Sequence, residues 1–519
     1  MKHLLFRQIA ISVTMLVVSG NLLSCKKSGK EPSLFVGAVS TDTAWVGKPV
    51  TIQGSGFSST ATDNIIRIGD IVATEVVEVS PSTLTFKVPP GAVSGKLYVR
   101  VNGKEQSASR ELVIVNQLAW QKALGGIIDD YGIAVAASAD GGYLVAGYTQ
   151  SGDGDVAIQH GGYDYWILKL NADRTIAWQK TFGGSRDDYA TGIVALADGG
   201  CVVAGYTSST DDDISGNHGA SDYCIVKLDA NGNIVWKTVL GGSGADEANG
   251  IIATSTGYVI SGYTSSTDGD ITNNHGLSDY WVVWLDASGA LVKQKTYGGT
   301  GYDNGEALAI AGDGYLVAGS SSSTDGDATG NHGNTDFWIV KLNTTGNIMW
   351  QTSLGGTARE TASCIVSTAD GGSLVAGYTT SNDGDVTGYH GGYDYWVIKL
   401  LANGSVAWKK TLGGSLADQP AAITPAGDGG CIVAGMTTSN NGDVSGLHGT
   451  NDSWIVRLNA TGNMVWQKTS GGTQSDATYG LAATGNSFIA VGYSNSTNGD
   501  VSGLHGTSRP DFWLFKILD

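Results

Sequence analysis

From Leu118 to its end the chain is one unit of about 58 residues written seven times. Gly-Gly pairs begin at Gly125, Gly183, Gly241, Gly298, Gly355, Gly413 and Gly471, at intervals of 58, 58, 57, 57, 58 and 58. An Asp-aromatic-Trp pattern recurs in step at Asp164, Asp222, Asp279, Asp336, Asp394, Asp452 and Asp511, with Cys224 in place of the Trp and Ser453 in place of the aromatic residue. A fixed period of this length is the signature of a repeat architecture, in which each unit buries its apolar face only against its neighbours. In the unit read as Gly250 to Thr296, the strand-like pieces are Gly250 to Ala253, Gly257 to Thr264, Asp279 to Leu285 and Ala290 to Thr296. Each is short and rich in β-branched or aromatic residues, as a strand is. Asp140-Gly141, Asp198-Gly199 and Asn231-Gly232 supply the positive φ angles of tight hairpin turns.

Four antiparallel strands in each of seven units specify a seven-bladed β-propeller. A stacked solenoid of seven is the alternative. The ends of the repeat region favour a closed ring. Leu118 to Leu124 is a fourth strand with no first three before it, and the last unit stops after its third, Asp511 to Leu518. Pairing the two closes the ring in the Velcro manner and removes exposed sheet edges. The unit resembles the bacterial SBBP-type β-propeller repeat, through Trp178-Gln179-Lys180-Thr181-Phe182-Gly183-Gly184 and Asp164-Tyr165-Trp166-Ile167-Leu168-Lys169-Leu170. That resemblance implies architecture and little about function, because propellers host many activities.

Between Ser33 and Val115 short alternating strands are separated by Gly, Ser, Pro and Asn turns, the pattern of a small β-sandwich. Val50-Thr51-Ile52-Gln53-Gly54-Ser55-Gly56-Phe57, then Val88-Pro89 and Gly95 to Val101, resemble the immunoglobulin-like IPT/TIG domain. The resemblance implies a spacer or interaction module. The expected fold class is therefore all-β, a small Ig-like β-sandwich followed by a seven-bladed β-propeller with Velcro closure. The expected boundaries are 33–115 for the sandwich and 118–519 for the propeller.

The N-terminus reads as an address. Lys2 and Arg7 precede an apolar run, Ile9 to Val18, too short to span a bilayer. Leu22-Leu23-Ser24-Cys25 resembles the lipobox of bacterial lipoproteins. The resemblance implies a signal peptide over 1–24, acylation of Cys25 and a tether over 25–32, with lipid as the membrane anchor. The expected location is the cell envelope, at the outer membrane. Surface-exported lipoproteins of the Bacteroidetes carry an acidic cluster after the Cys, whereas Lys26-Lys27 is basic here, so both leaflets stay open.

Composition excludes several classes. The 519 residues include 77 Gly and only 8 Pro, without a triplet period, which rules out collagen; 41% hydrophobic residues rule out disorder as the main state. A formal charge of −18 argues against a nucleic-acid binder, since phosphate neutralisation needs clustered Lys and Arg. Cys201, Cys224, Cys364 and Cys431 sit in strand-like apolar runs and read as small buried hydrophobes, with a Cys201–Cys224 disulfide as the other possibility.

Candidate chemistry gathers in the loop between second and third strands. Seven of the eight His occupy one slot there: His160, His218, His275, His332, His390, His448 and His505. Upstream lie the pairs Asp153 and Asp155, Asp211 and Asp213, Asp268 and Asp270, Asp325 and Asp327, Asp383 and Asp385. The loops leading into the next blade carry acids too, such as Asp187-Asp188, Asp246-Glu247 and Asp303, so one face is expected to be a crown of carboxylates. In one reading the paired Asp oxygens bind calcium, which takes six to eight hard oxygen ligands. In the other the Asp and Ser side chains build turns by accepting backbone N–H groups, and each His bonds a neighbouring blade. Symmetry favours turn-building, because a residue needed once for chemistry has no reason to appear seven times.

A unique site is therefore expected where the units depart from one another. Trp284 interrupts the slot held by Lys169, Lys227, Lys341, Lys399, Arg457 and Lys516. Ser320 and Met436 interrupt the one held by Tyr148, Tyr206, Tyr263, Tyr378 and Tyr493, and Arg359-Glu360 replaces the usual acidic pair. The Trp and Tyr content invites sugar stacking, although fixed repeat positions read mostly as core and blade packing. No catalytic constellation stands out. The function expected is a lipid-anchored binding protein, a monomer, that presents an acidic loop face to a glycan or protein partner. A polysaccharide hydrolase or lyase and a purely structural or adhesive protein are the alternatives.

Overall fold

The computed structural model describes residues 33–518, apart from 42, 46, 47, 70, 74, 90, 91, 93, 94, 116, 117, 486, 507 and 508. The signal peptide, Cys25 and the tether lie outside the described residues. The N-terminal unit is a sandwich of two sheets. One orders Phe35–Val39, Pro49–Ser55, Thr83–Lys87 and Val76–Ser80; the other orders Thr43–Trp45, Lys104–Val115, Gly95–Val101, Asn64–Ile68 and Ile71–Val72. Alternate residues face inward, so Ile52, Leu84 and Phe86 of one sheet meet Ile66, Ile68, Leu97 and Val99 of the other in one core.

The remaining strands form seven four-stranded antiparallel sheets. Blade 1 runs outward from Asp130–Ala137 through Tyr143–Thr149 and Asp164–Leu170 to Ile176–Phe182. Blades 2 to 7 begin at the inner strands Asp188–Ala195, Asp246–Thr254, Asp303–Ala311, Glu360–Ser367, Asp418–Pro425 and Asp476–Ala483. Each inner strand packs against those of the two neighbouring blades, and that of blade 7 packs against that of blade 1. The ring is closed, which excludes the solenoid. Leu118–Leu124 pairs antiparallel with Asp511–Leu518 and completes blade 7 as its outer strand, the Velcro closure expected.

Blades pack face to face, so the two middle strands of each are buried on both sides. Every residue of Asp164–Leu170 is buried, which explains why this strand reads as a continuous apolar run. Its Tyr165 hydroxyl donates to the Cys224 carbonyl of the next blade (3.0 Å), and Tyr223, Tyr280 and Tyr395 repeat that bridge. At the perimeter, Trp178 lies on the turn of blade 2. Its Nε1 donates to the Ala230 carbonyl at 2.9 Å, and a Cβ on Gly232 would stand 2.8 Å from the indole. Gly232 is required twice over, because its φ of 82° is also left-handed. These contacts make most of the aromatic repeats blade-packing residues.

All four propeller cysteines are buried and free. Cys201 lies opposite Leu228 while Cys224 lies opposite Gly205, four rungs along the same ladder, so the two thiols are too far apart to bond. Among the described residues no helix is long and apolar enough to cross a membrane.

Candidate functional site at the channel mouth

The acids expected as a crown are present, and most of them are sealed inside. The first residue of each inner strand, Asp130, Asp188, Asp246, Asp303, Glu360, Asp418 or Asp476, is fully buried. Asp188 shows the pattern: it accepts the Thr207 hydroxyl, the Ser209 hydroxyl (2.9 Å) and the N–H of Gly184 (2.8 Å). Burial pushes Asp130 up to about 7 and Asp188 to about 6, against the hydrogen bonds that each accepts.

The Asp of each triplet is buried as well. Its Oδ2 meets Nδ1 of the repeated His, at 3.0 Å for His160 with Asp164 and 2.6 Å for His275 with Asp279. Its Oδ1 has no hydrogen-bond partner in any of the seven blades. A Cβ on Gly183 would stand 2.2 Å from Asp164 Oδ1 and 2.7 Å from Asp188 Oδ2. The first Gly of each Gly-Gly pair therefore leaves room for two carboxylates to flank the backbone.

Eight of the ten Asp of the calcium reading accept a backbone N–H of the protein itself. Asp153, Asp211, Asp268, Asp325 and Asp383 accept the backbone N–H of Ile127, Ser185, Ser243, Thr300 and Thr357 at 2.7 to 2.9 Å. Blades 6 and 7 carry Asn441 and Asn498 in that slot and make the same bond, each at 2.9 Å, so an amide oxygen serves as well as a carboxylate. Of the second members, Asp155, Asp270 and Asp385 accept the N–H of Gly125, Gly241 and Gly355. Asp155 also stands 3.4 Å from His505 Nε2, and Asp213 lies 4.0 Å from His160 Nε2 across a blade boundary. Asp327 lines a perimeter cavity of about 630 Å³ between blades 3 and 4, with His275 and Lys295. Among the described residues, no group of three or more His, Cys, Asp or Glu converges as a metal site.

The units diverge at the channel. Every inner strand carries a β-bulge at its fourth residue, where the pairing skips one position. The skipped residues are Ile133, Thr191, Asn249, Glu306, Ser363, Ala421 and Tyr479. They are seven different residue types, and all line one cavity of about 540 Å³. A bulge leaves its extra residue outside the ladder, so its side chain is free of the pairing that fixes its neighbours. Sequence reading missed this slot. Its signal was available, because position four of the aligned inner strands never repeats.

Around the mouth, Tyr479, Tyr493, Tyr131, Tyr148, Tyr189 and Tyr206 form an unbroken arc over blades 7, 1 and 2, with successive ring centroids 4.8 to 5.9 Å apart. Five of these rings are half-buried, and Tyr479 is exposed. Of the Tyr slot read as deviant at Ser320 and Met436, Tyr378 and Met436 line the cavity, and of the arc Tyr479 does. The opposite wall holds Glu306, Arg359, Thr361, Tyr378, Gln419 and Met436. Burial and the like charge of Glu247 push Glu306 up to about 7, while Arg359 pulls it down.

Residues 34–113 match the family model of the IPT/TIG domain. No curated protein matches the sequence. Among solved structures, the chain is similar to an auxiliary nutrient binding protein from Bacteroides thetaiotaomicron, at 10% identity over 94% of this chain and 98% of that one, TM-score 0.34. It is similar to another from Bacteroides ovatus, at 10% identity over 95% and 99%, TM-score 0.33. A third is the WD40 β-propeller domain of Doa1, at 9% identity over 78% and 97%, TM-score 0.41.

Proposed function

We propose that this chain is a lipid-anchored binding protein of the cell envelope, tethered through acylated Cys25 at the outer membrane, and that its propeller holds a glycan at the channel mouth. The observation that carries the reading is the bulge slot, where seven framework copies present seven different side chains to one cavity. A framework conserved by repetition around a lining that never repeats is what a single asymmetric ligand requires. The cavity of about 540 Å³ falls within the ~300–1,000 Å³ of small-ligand sites. That scale supports a glycan over a protein partner, whose interface spreads over ~800 Å² per side. The Tyr arc offers ring faces to the C–H face of a sugar, and Asn249, Glu306, Thr361 and Gln419 offer partners to its hydroxyls.

The test is a glycan array probed with the full chain in mild detergent. Binding confined to a few related oligosaccharides is expected, and an array with no bound glycan would refute the reading.

A polysaccharide hydrolase is a second reading, favoured by the neighbouring acids Glu247 and Glu306. Burial raises both carboxyls, Glu306 to about 7, and a carboxyl held near 7 in a cavity is suited to acid catalysis. New reducing ends from a bound glycan, lost in Glu306→Gln, would support it.

A further inference from the structure

The wall of the mouth formed by blades 3 to 5 differs from the Tyr arc facing it. Glu306 and Arg359 are the charged residues lining the cavity. Glu306 Oε2 accepts only a long hydrogen bond from Asn249 Nδ2 (3.3 Å), and that amide also donates to the Gly305 carbonyl at 3.0 Å. Glu247, one blade back, shares a hydrogen bond with the Tyr263 hydroxyl and adds like charge. On blade 5, Thr361 lines the same cavity. It is only 9% exposed, and its hydroxyl has no hydrogen-bond partner. A buried hydroxyl without a partner is an exception that calls for a missing group. That group would share the cavity with a weakly bonded carboxylate.

Arg359 shares this wall: its guanidinium lies over the Tyr378 ring, 5.8 Å from the centroid, and its charge acts on Glu306 without a salt bridge between them. The chain's net charge of −18 adds a long-range field that draws cations. A primary ammonium satisfies this wall: its three N–H donors and its charge answer Glu306, and a hydroxyl on the adjoining carbon reaches Thr361.

We propose that the glycan held at the channel mouth carries a free amine, an amino sugar whose ammonium sits against Glu306 with its neighbouring hydroxyl on Thr361. The inference rests on the glycan reading above and names the substrate class of that same cavity.

The test is isothermal titration of the full chain with a tetramer of glucosamine, the same tetramer N-acetylated, a neutral glucose tetramer and 1,4-diaminobutane. The glucosamine tetramer is expected to bind at least ten-fold more tightly than the acetylated and neutral ones. Glu306→Gln should abolish that preference without lowering the melting temperature. Thr361→Val should weaken the glucosamine tetramer several-fold. Equal or tighter binding of the acetylated or neutral tetramer, or a preference that survives Glu306→Gln, would overturn the amine and leave the glycan reading standing. Binding of the diamine with no tetramer bound would overturn both.

Discussion

At the scale of single residues, the repeated acids hold the blades together from inside. Asp130 and Asp188 sit in the folded chain at about 7 and about 6, against 3.8 for a free Asp, because burial disfavours their charge. A raised folded value means that the folded state binds the proton more tightly than the unfolded chain does. The stability so contributed is complete below the unfolded value and is lost as pH rises through 6 to 7. The melting temperature should therefore fall as pH is raised from about 4.5 to 8, and a rise across that window would contradict this account. The seven His and the seven triplet Asp were legible from spacing alone. Their pairing with each other through Nδ1 was not, because it depends on how the loop folds back on itself.

At the scale of elements, strand order and turns were legible, and the bulge was not. The second strand of blade 3 was expected over Gly257 to Thr264 and is found there. The inner strand was expected over Gly250 to Ala253 and in fact starts at Asp246. The extra residue Asn249 breaks the alternation that marks a strand, so the first half of the element read as loop. The same blindness hid the cavity lining, since all seven channel residues occupy that irregular position. The Asp-x-Asp loop, by contrast, shows its role once Asn441 and Asn498 are seen making the bond that Asp makes elsewhere. If these loops are turns, millimolar calcium and excess chelator should give melting temperatures equal within about 1 °C; a calcium-dependent rise of several degrees would make them metal sites.

At the scale of the whole molecule, closure and asymmetry come from the same repeat. Seven near-identical blades fix the ring, and the chain ends close it where Leu118–Leu124 lies beside Asp511–Leu518. Deleting residues 118–124 would leave the third strand of blade 7 as a bare apolar edge. The variant is expected to lose about 10 °C or more in melting temperature and to aggregate by light scattering; an unchanged monomer would show that the closure is dispensable. Within the ring, function depends on what the repeat leaves unrepeated, and the channel mouth is where that variation converges. The most direct measurement compares glycan affinity of the full chain with Tyr479→Ala, at the mouth, and Tyr302→Ala, an exposed loop residue outside the cavity lining. The account predicts at least a ten-fold loss for the first and none for the second. Equal affinities for both variants and the parent chain would contradict it.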